Sequence, residues 1–327
     1  MIDKLIKKHY NIDVSNYVKL GVGAGSNTYH VKATDGNEFI LKNANINEAN
    51  NPQNEPKICE HLLNKEIPVS EFVPDMQGSY LWCDGDDVYH MQKFISGTSY
   101  DVHCAPNWLM VKMPQILGRI HAALRDYNDL PIGIGENFFK YMTPQSAMIS
   151  YRKSFEYIVA NGYTDLGDDL QYRIKLMSCF DIPKIDLSKL TRTATHGDFF
   201  ISQLICKDVE IAGVVDWTTA CVHPIVWEII RSFVYGSQAS KDGIIVISDF
   251  IEYTKNYLKH APLNSYDLKM MPYVFYYQIS VCDYYNQYFQ SNTDNRHIYL
   301  DQAVLSTKMM KWFEKHVAEL SEALSKI

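Results

Sequence analysis

Between about Tyr17 and Phe94, short runs in which apolar and polar residues alternate predict β-strands. Four strands are expected, at residues 28–33, 38–42, 79–83 and 88–94. The first pair is joined through Asp35-Gly36, a dipeptide typical of a β-hairpin turn. One helix is expected between the two pairs, at 54–64, where leucine and isoleucine recur on one helical face.

The pattern changes after Ser96-Gly97 to apolar residues that recur every three or four positions, as in helices that face a core. Helices are expected at 108–127, 145–161 and 166–180, with a kink at Pro114 in the first. A strand-like stretch at 193–217 precedes the last helices. Because 327 residues are enough for two domains, we predict an α+β protein with a sheet domain at 1–94 and a larger helical domain at 95–327.

Composition and charge narrow the class of protein. Hydrophobic residues make up 46% of the chain and the net charge is −7, which suits a globular protein and argues against nucleic-acid binding. The seven cysteines include no CxxC pair, which favours reduced thiols in the cytoplasm. With no predicted signal peptide or membrane span, we expect a cytoplasmic protein without membrane contact; the oligomeric state stays open.

The candidate chemistry lies in the strand-like stretch. Asp198 is followed five residues later by Gln203, and Asp216 ends an apolar strand. A hairpin centred on Lys207-Asp208 would bring all three side chains to one end of the ribbon. Phosphoryl transfer needs positioning and charge neutralisation of this kind more than it needs covalent chemistry. Asp198 would accept or orient the proton of an attacking hydroxyl, and Gln203 and Asp216 would offer oxygens to Mg²⁺.

The segment from His196 to Asp216 resembles the HGDxxxxN motif and the following (I/V)D(F/W) aspartate of the aminoglycoside phosphotransferase and choline kinase superfamily, which includes spore-coat kinase-like relatives. Further landmarks appear in order, so the resemblance covers nearly the whole chain. It implies a bilobal protein-kinase-like fold, with an N-terminal antiparallel sheet lobe and a larger, mainly helical lobe. It also implies transfer of the γ-phosphate of ATP, with Mg²⁺, to a hydroxyl of a small molecule.

The resemblance further implies a set of nucleotide-binding residues. They are Gly23, Gly25, Ser26, Lys42, Glu55, Gln92, Phe94 and Ile95. The glycines and Ser26 belong to a glycine-rich hairpin, Lys42 would contact the α- and β-phosphates with Glu55 as its partner, and the last three would line the adenine through backbone groups. The alternatives are an ordinary glycine-rich turn and a solvent-facing lysine at a strand end. A kinase-like hairpin fits better than a Rossmann loop, because a strand, not a helix, follows the glycines.

One departure from the family pattern keeps a second function open. Most members of the superfamily have asparagine where this chain has Gln203, although maltokinase-like members also have glutamine. The alternative is therefore a catalytically degenerate kinase-like protein with a structural or binding role, of the spore-coat type. A protein kinase is disfavoured because only a short segment separates Asp216 from Pro224, which leaves no room for a peptide-docking activation segment. The acceptor could be an aminoglycoside, choline or ethanolamine, or a sugar.

Several other residues have both a structural and a functional interpretation. For His196 we favour bracing of the catalytic loop over a role as general base, and for His121 and Glu228 we expect roles in the core. Five tyrosines near the C-terminus, together with Asp283, could form an aromatic and acidic substrate wall or a core stripe, and helical spacing favours the core. These tyrosines are Tyr273, Tyr276, Tyr277, Tyr284 and Tyr285.

Overall fold

The computed structural model describes residues 2–20, 26–45, 52–133, 139–162, 166–291 and 296–327. The chain forms two compact units: the first combines Met1–Ser99 with Ser202–Ala220, and the second combines Tyr100–Ile201 with Cys221–Ile327. The predicted lobes, 1–94 and 95–327, stay a prediction. Within the described residues, no helix has both the length and the apolar character that crossing a membrane requires.

The first unit is built on a six-stranded antiparallel sheet. Its elements are α1 (Ile2–Tyr10), β1 (Val14–Lys19), β2 (Ser26–Ala33), β3 (Glu38–Asn45), α2 (Asn54–Leu63), β4 (Phe72–Val73), β5 (Trp82–Asp84) and β6 (Asp87–Lys93). The strand order is β1-β2-β3-β6-β4, with β5 paired to β6. Ile6 of α1 packs with Val31, Leu41 and Met91 of the sheet in one buried cluster. The central strand β3 therefore has an apolar face and presents Lys42 next to Leu41.

One predicted strand starts later than expected. Residues 79–81 are irregular, and β5 begins only at Trp82. The Asp75 carboxylate accepts the backbone N–H groups of Gln77 and Ser79, at 2.9 and 2.8 Å, so this segment closes on itself instead of pairing with β6. The prediction was wrong because local side-chain hydrogen bonds of this kind leave no mark on hydrophobic periodicity.

A second, two-stranded ribbon belongs to the first unit and is formed by β8 (Leu204–Lys207) and β9 (Glu210–Val214). It is the predicted hairpin, and Asp208 takes the left-handed conformation in its turn, with φ of 55°. Isolated bridges join Val214 to Val69 and Cys206 to Thr98. The ribbon is thus fixed on both of its strands to the rest of the unit.

The second unit is mainly helical. Its elements are α3 (Asn107–Ala123), α4 (Pro144–Asn161), α5 (Gly167–Ser178), β7 (Arg192–Thr195), β10 (Cys221–Pro224), α6 (Ile225–Gly236), α7 (Ile247–Leu258), α8 (Ser265–Val281), α9 (Tyr284–Gln290) and α10 (Arg296–Leu324). β7 pairs with β10, so the segments before Asp198 and after Ala220 run side by side. The helix predicted at 108–127 ends at Ala123, and residues 124–126 form a turn.

A buried arginine organises the helices of the second unit. Arg173 of α5 is fully buried and its guanidinium donates to Thr307 Oγ1 at 2.8 Å, to Tyr151 Oη at 2.8 Å and to the carbonyl of Ala303 at 3.0 Å. It also donates to Ser306 Oγ at 2.5 Å. One side chain therefore joins α4, α5 and α10 through neutral acceptors.

Candidate active site

The predicted nucleotide lysine is held by an acidic side chain in the first unit. Lys42 lies in the middle of the sheet, where β3 pairs with both β2 and β6. Its Nζ donates to Asp216 Oδ1 at 3.0 Å. Burial works against the charged ammonium, but the charges of Glu55 and Asp216 outweigh it, and the pKa of Lys42 is raised above its ordinary value. Lys42 is therefore a fixed positive charge rather than a solvent-facing lysine.

Glu55 is buried on α2 and acts on Lys42 through its charge, because the hydrogen bond of Lys42 goes to Asp216. Its Oε1 accepts from Gln92 Nε2 at 3.4 Å and from the backbone N–H of Trp217 at 3.3 Å. The neighbouring His90 lies 3.8 Å from the other oxygen, and burial lowers its pKa to about 4. Glu55 thus links α2 both to β6 and to the residue after Asp216.

The other predicted nucleotide residues fall in three places. Gly23 and Gly25 lie outside the described residues, and Ser26 opens β2 opposite Ala44. The Phe94 ring stacks on His30 with centroids 4.2 Å apart, and its backbone N–H donates to the Glu38 carbonyl at 3.0 Å. The Phe94 amide is therefore already used within the sheet.

Ile95 contacts the β8–β9 ribbon. A Cβ added to Gly213 would lie 2.4 Å from Ile95 Cδ1, so the two residues are in close contact and the position suits glycine. The buried Gln92 side chain, by contrast, faces Glu55. Backbone groups near Ile95 remain the predicted adenine contacts, while the Ile95 side chain packs against Gly213 and the Gln92 side chain bonds to Glu55.

The two predicted metal residues lie at one end of the β8–β9 hairpin. The Gln203 carbonyl accepts from the N–H of Val215 at 2.9 Å, next to Asp216. Asp216 itself is in the left-handed conformation, with φ of 67° and ψ of 62°, and also accepts from Thr218 Oγ1 at 3.1 Å. A strained non-glycine backbone of this kind often marks a functional position.

The donor set fits magnesium. No cluster of three or more His, Cys, Asp or Glu side chains suited to a metal occurs in the described ranges. Magnesium, however, commonly takes one or two protein oxygens and completes its shell with water and phosphate. The carboxylate of Asp216 and the amide oxygen of Gln203 are donors of that type.

In the second unit, Asp198 lies in a loop that buried polar groups hold in place. Gly197 has φ of 81°, and the N–H of Asp198 donates to Nδ1 of the buried His196 at 3.3 Å. The next N–H, that of Phe199, donates to Glu228 Oε1 at 3.3 Å. His196 therefore braces the loop, as the sequence suggested.

Glu228 anchors this loop to the helical core. It is fully buried on α6, and its Oε2 accepts from His121 Nε2 at 2.9 Å while Tyr257 Oη lies 2.8 Å from His121 Nδ1. Burial disfavours its charge, but the hydrogen bond and charge interactions with His121 outweigh burial and lower the pKa of Glu228 to about 2. The core roles expected for both residues are those the structure shows.

Sequence reasoning missed Arg231. Its Nη2 lies 2.6 Å from Asp198 Oδ1, one turn of α6 beyond Trp227-Glu228. The guanidinium lies over the rings of Phe200, Trp227 and Tyr235, with its centre 4.9, 5.3 and 4.8 Å from their centroids. The spacing Glu228-x-x-Arg231 on the helix behind the loop was the available signal, since residues three apart share a helix face.

The C-terminal tyrosines divide between the two interpretations. Tyr276 and Tyr285 are buried, as a core stripe predicts, and Tyr277 donates to the Met142 carbonyl at 2.7 Å. Tyr284 is half-buried and interacts electrostatically with Arg231 and Tyr235. Tyr284 therefore adjoins the surroundings of Asp198.

A family model described as the phosphotransferase enzyme family matches residues 17–247, which include Lys42, Asp198 and Asp216. The chain belongs to the phosphotransferase enzyme family. The predicted class, a small-molecule phosphotransferase, is thereby confirmed. No curated protein matches the chain in sequence.

Solved structures share the fold at low sequence identity. An amicoumacin kinase in complex with AMP-PNP and Ca²⁺ has a TM-score of 0.64 at 15% identity, covering 98% of this chain and 92% of that one. An aminoglycoside phosphotransferase from Alicyclobacillus acidocaldarius has a TM-score of 0.63 at 13% identity, covering 100% and 97%. A spectinomycin phosphotransferase in complex with ADP and spectinomycin has a TM-score of 0.57 at 15% identity, covering 100% and 98%. The predicted α+β kinase-like fold is confirmed.

Proposed function

We propose that this protein transfers the γ-phosphate of ATP to a hydroxyl of a small molecule, with Asp198 as the catalytic base and Mg²⁺ held by Gln203 and Asp216. The observation that carries the proposal is the contact between Lys42 and Asp216, 174 residues apart in sequence. It joins a permanently charged lysine to an acidic side chain in a strained backbone conformation, inside the segment that the family model matches. ADP and AMP-PNP in two of the similar structures support ATP as the donor.

The roles follow from the chemistry of each side chain. Lys42 supplies a positive charge to the phosphates, and Glu55 maintains that charge by its own. An Asp198 carboxylate oxygen receives or orients the proton of the attacking hydroxyl, and the bonds of His196 and Glu228 to its loop fix its direction. Magnesium, when bound, supplies charge neutralisation on the transferring phosphoryl group.

The test is acceptor-dependent ADP formation by the full chain with Mg²⁺, comparing wild type with Asp198→Asn. We expect kcat to fall by about 100- to 10,000-fold, the range for loss of a general base. Asp208→Asn is a matched control, because Asp208 is exposed in the β8–β9 turn and asparagine tolerates its positive φ. Equal activity of Asp198→Asn and wild type would contradict the proposed base.

The degenerate alternative rests on Gln203 and has its own outcome. Gln203→Asn restores the residue type common in the superfamily while keeping an amide oxygen. If wild type binds ATP but turns over no acceptor, and Gln203→Asn gains turnover, the binding role would replace the proposed catalytic one. We expect instead that wild type is active and that Gln203→Ala raises the Mg²⁺ concentration needed for half-maximal rate.

A further inference from the structure

Within the second unit, aromatic side chains and one amide surround Asp198 and Arg231. Asp198 and Arg231 are half-buried here, and so are the side chains around them: Phe200, Tyr235, Tyr284 and Gln302. The Tyr235 hydroxyl donates to Gln302 Oε1, which fixes that amide beside the ring. Half-buried aromatic and amide groups around a reactive carboxylate are the ordinary lining of a small-molecule site.

Arg231 occupies the places where a cationic acceptor would bind. Its Nη2 is 2.6 Å from Asp198 Oδ1, so a positive charge already accompanies this carboxylate. The rings of Phe200, Trp227 and Tyr235 already have the guanidinium within 4.9, 5.3 and 4.8 Å of their centroids. An ammonium group on the acceptor would therefore meet a cation where it needs a carboxylate or a ring face.

An anionic acceptor is disfavoured by the same group of charges. Arg231 is already paired with Asp198 Oδ1 and also interacts with the charge of the buried Glu228, so its positive charge is largely offset before an acceptor binds. Asp283, farther along the chain, is held by Ser150 at 2.5 Å and Asn286 at 2.9 Å. No described arginine besides Arg231 forms an ion pair with Asp198, so a carboxylate or phosphate on the acceptor would add repulsion near the reacting hydroxyl.

A neutral oxygen suits the remaining hydrogen-bond capacity. Nη1 of Arg231 is buried and has no hydrogen-bond partner among the described residues. A guanidinium carries five N–H donors and no acceptor, so only an oxygen or nitrogen lone pair can satisfy it. Tyr284 adds a further ring and hydroxyl at this place, and its pKa is raised by burial, so it stays neutral.

We propose that the acceptor is an uncharged polyhydroxylated compound, of the sugar or polyol class, whose apolar face lies against Tyr284 and whose neighbouring oxygen receives a hydrogen bond from Arg231. The inference rests on the proposed function and narrows it. Arg231 is a specificity residue in this account: it excludes ammonium groups from the position next to Asp198.

The experiment compares one scaffold in three charge states with the full chain, ATP and Mg²⁺. The probes are glucose, glucosamine and glucuronate, supplemented by maltose and inositol as neutral compounds and by kanamycin and choline as cations. We expect kcat/KM to be at least tenfold higher for the best neutral compound than for the best charged one. Turnover of a cation or an anion with the highest kcat/KM would overturn the inference and leave the phosphotransfer proposal standing. If no compound is turned over, the phosphotransfer proposal fails and the inference fails with it.

Arg231 variants test the specificity role through the ratio of kcat/KM for a neutral over a cationic acceptor, which a purely structural role would not change. Arg231→Gln removes the charge and keeps a donor, while Arg231→Lys keeps the charge. We expect Arg231→Gln to shift the ratio of kcat/KM for glucose over glucosamine by at least tenfold toward the amine, and Arg231→Lys to preserve the preference. An unchanged ratio in a folded Arg231→Gln protein would overturn the exclusion role.

Should Arg231→Gln not fold, Tyr284→Leu supplies the test. We expect KM for the neutral acceptor to rise at least tenfold while KM for ATP stays unchanged. An unchanged acceptor KM would overturn the proposed stacking.

Discussion

Glu228 is the residue whose substitution tests most directly how the core supports the catalytic loop. Glu228→Gln keeps the shape and an oxygen for the Phe199 N–H, but removes the charge that His121 stabilises. The pKa of Glu228 is lowered from 4.5 to about 2, and at ~1.4 kcal/mol per pKa unit this corresponds to about 3 kcal/mol at neutral pH. Because the side chain is fully buried, solvent does not screen this contribution.

The stabilisation by Glu228 should decrease as the pH falls. The folded pKa lies below the ordinary value, so the stabilisation is complete above about pH 4.5, falls to about half near pH 3, and is lost as the pH passes through about 2. Urea unfolding at pH 7 and pH 3 measures it as a difference between wild type and Glu228→Gln, which should shrink by about half. Glu322→Gln, in an exposed pair with Lys326, is the control and should unfold at the same urea concentration as wild type at pH 7.

The same variant should also slow catalysis, because the N–H of Phe199 next to Asp198 loses a charged acceptor. We expect kcat to fall about tenfold or more, since small displacements of a catalytic group are costly. A Glu228→Gln protein that is as stable as wild type at pH 7 would refute the electrostatic argument. Unchanged kcat in a destabilised variant would refute only the link to the loop.

Three further predictions concern other parts of the molecule. In a coupled ADP assay, Lys42→Met should lower kcat/KM for ATP by about 100-fold or more, as expected for a lost phosphate contact. Lys32→Met, at an exposed position on the neighbouring strand, is the control and should leave kcat/KM for ATP unchanged. Gly213→Ala should destabilise by about 1–3 kcal/mol in urea unfolding, and Ile95→Val should relieve part of the loss, because the added Cβ meets Ile95 Cδ1 at 2.4 Å. Additive effects of these two changes would contradict the contact. Arg173→Ala should cost more than ~3 kcal/mol by leaving a cavity and buried hydroxyls without a partner, while Arg173→Met, which fills the space, should cost clearly less; equal losses would contradict this account.

Much of the first unit and of the hairpin could be predicted because their signals are local. The Asp35-Gly36 turn, the helix over 54–64 and the ribbon around Lys207-Asp208 each follow from residues close in sequence. The late start of β5 could not, since hydrogen bonds of the Asp75 side chain decide it rather than periodicity. The end of α3 at Ala123 also left no mark on the apolar pattern, which continues past it.

The candidate site shows the same limit. Motif order indicated Lys42, Asp198 and Asp216 without any knowledge of distances. Arg231 was missed because its spacing from Glu228 indicates only a shared helix face, while its contact with Asp198 depends on how α6 packs against the loop. The partner of Lys42 also needed coordinates: its hydrogen bond goes to Asp216, while Glu55 contributes charge.

The β8–β9 ribbon has a consequence for local opening. Val214 donates to the Pro68 carbonyl at 2.8 Å, and Cys206 and Thr98 exchange hydrogen bonds of 2.8 and 2.9 Å. Separation of the ribbon from the rest of the unit would break these bonds together and would also break the contact between Gly213 and Ile95. Amide hydrogen exchange at Val214, Cys206 and Thr98 should therefore share one opening free energy, so that the segment carrying Asp216 exchanges as a single cooperative unit instead of fraying from its turn.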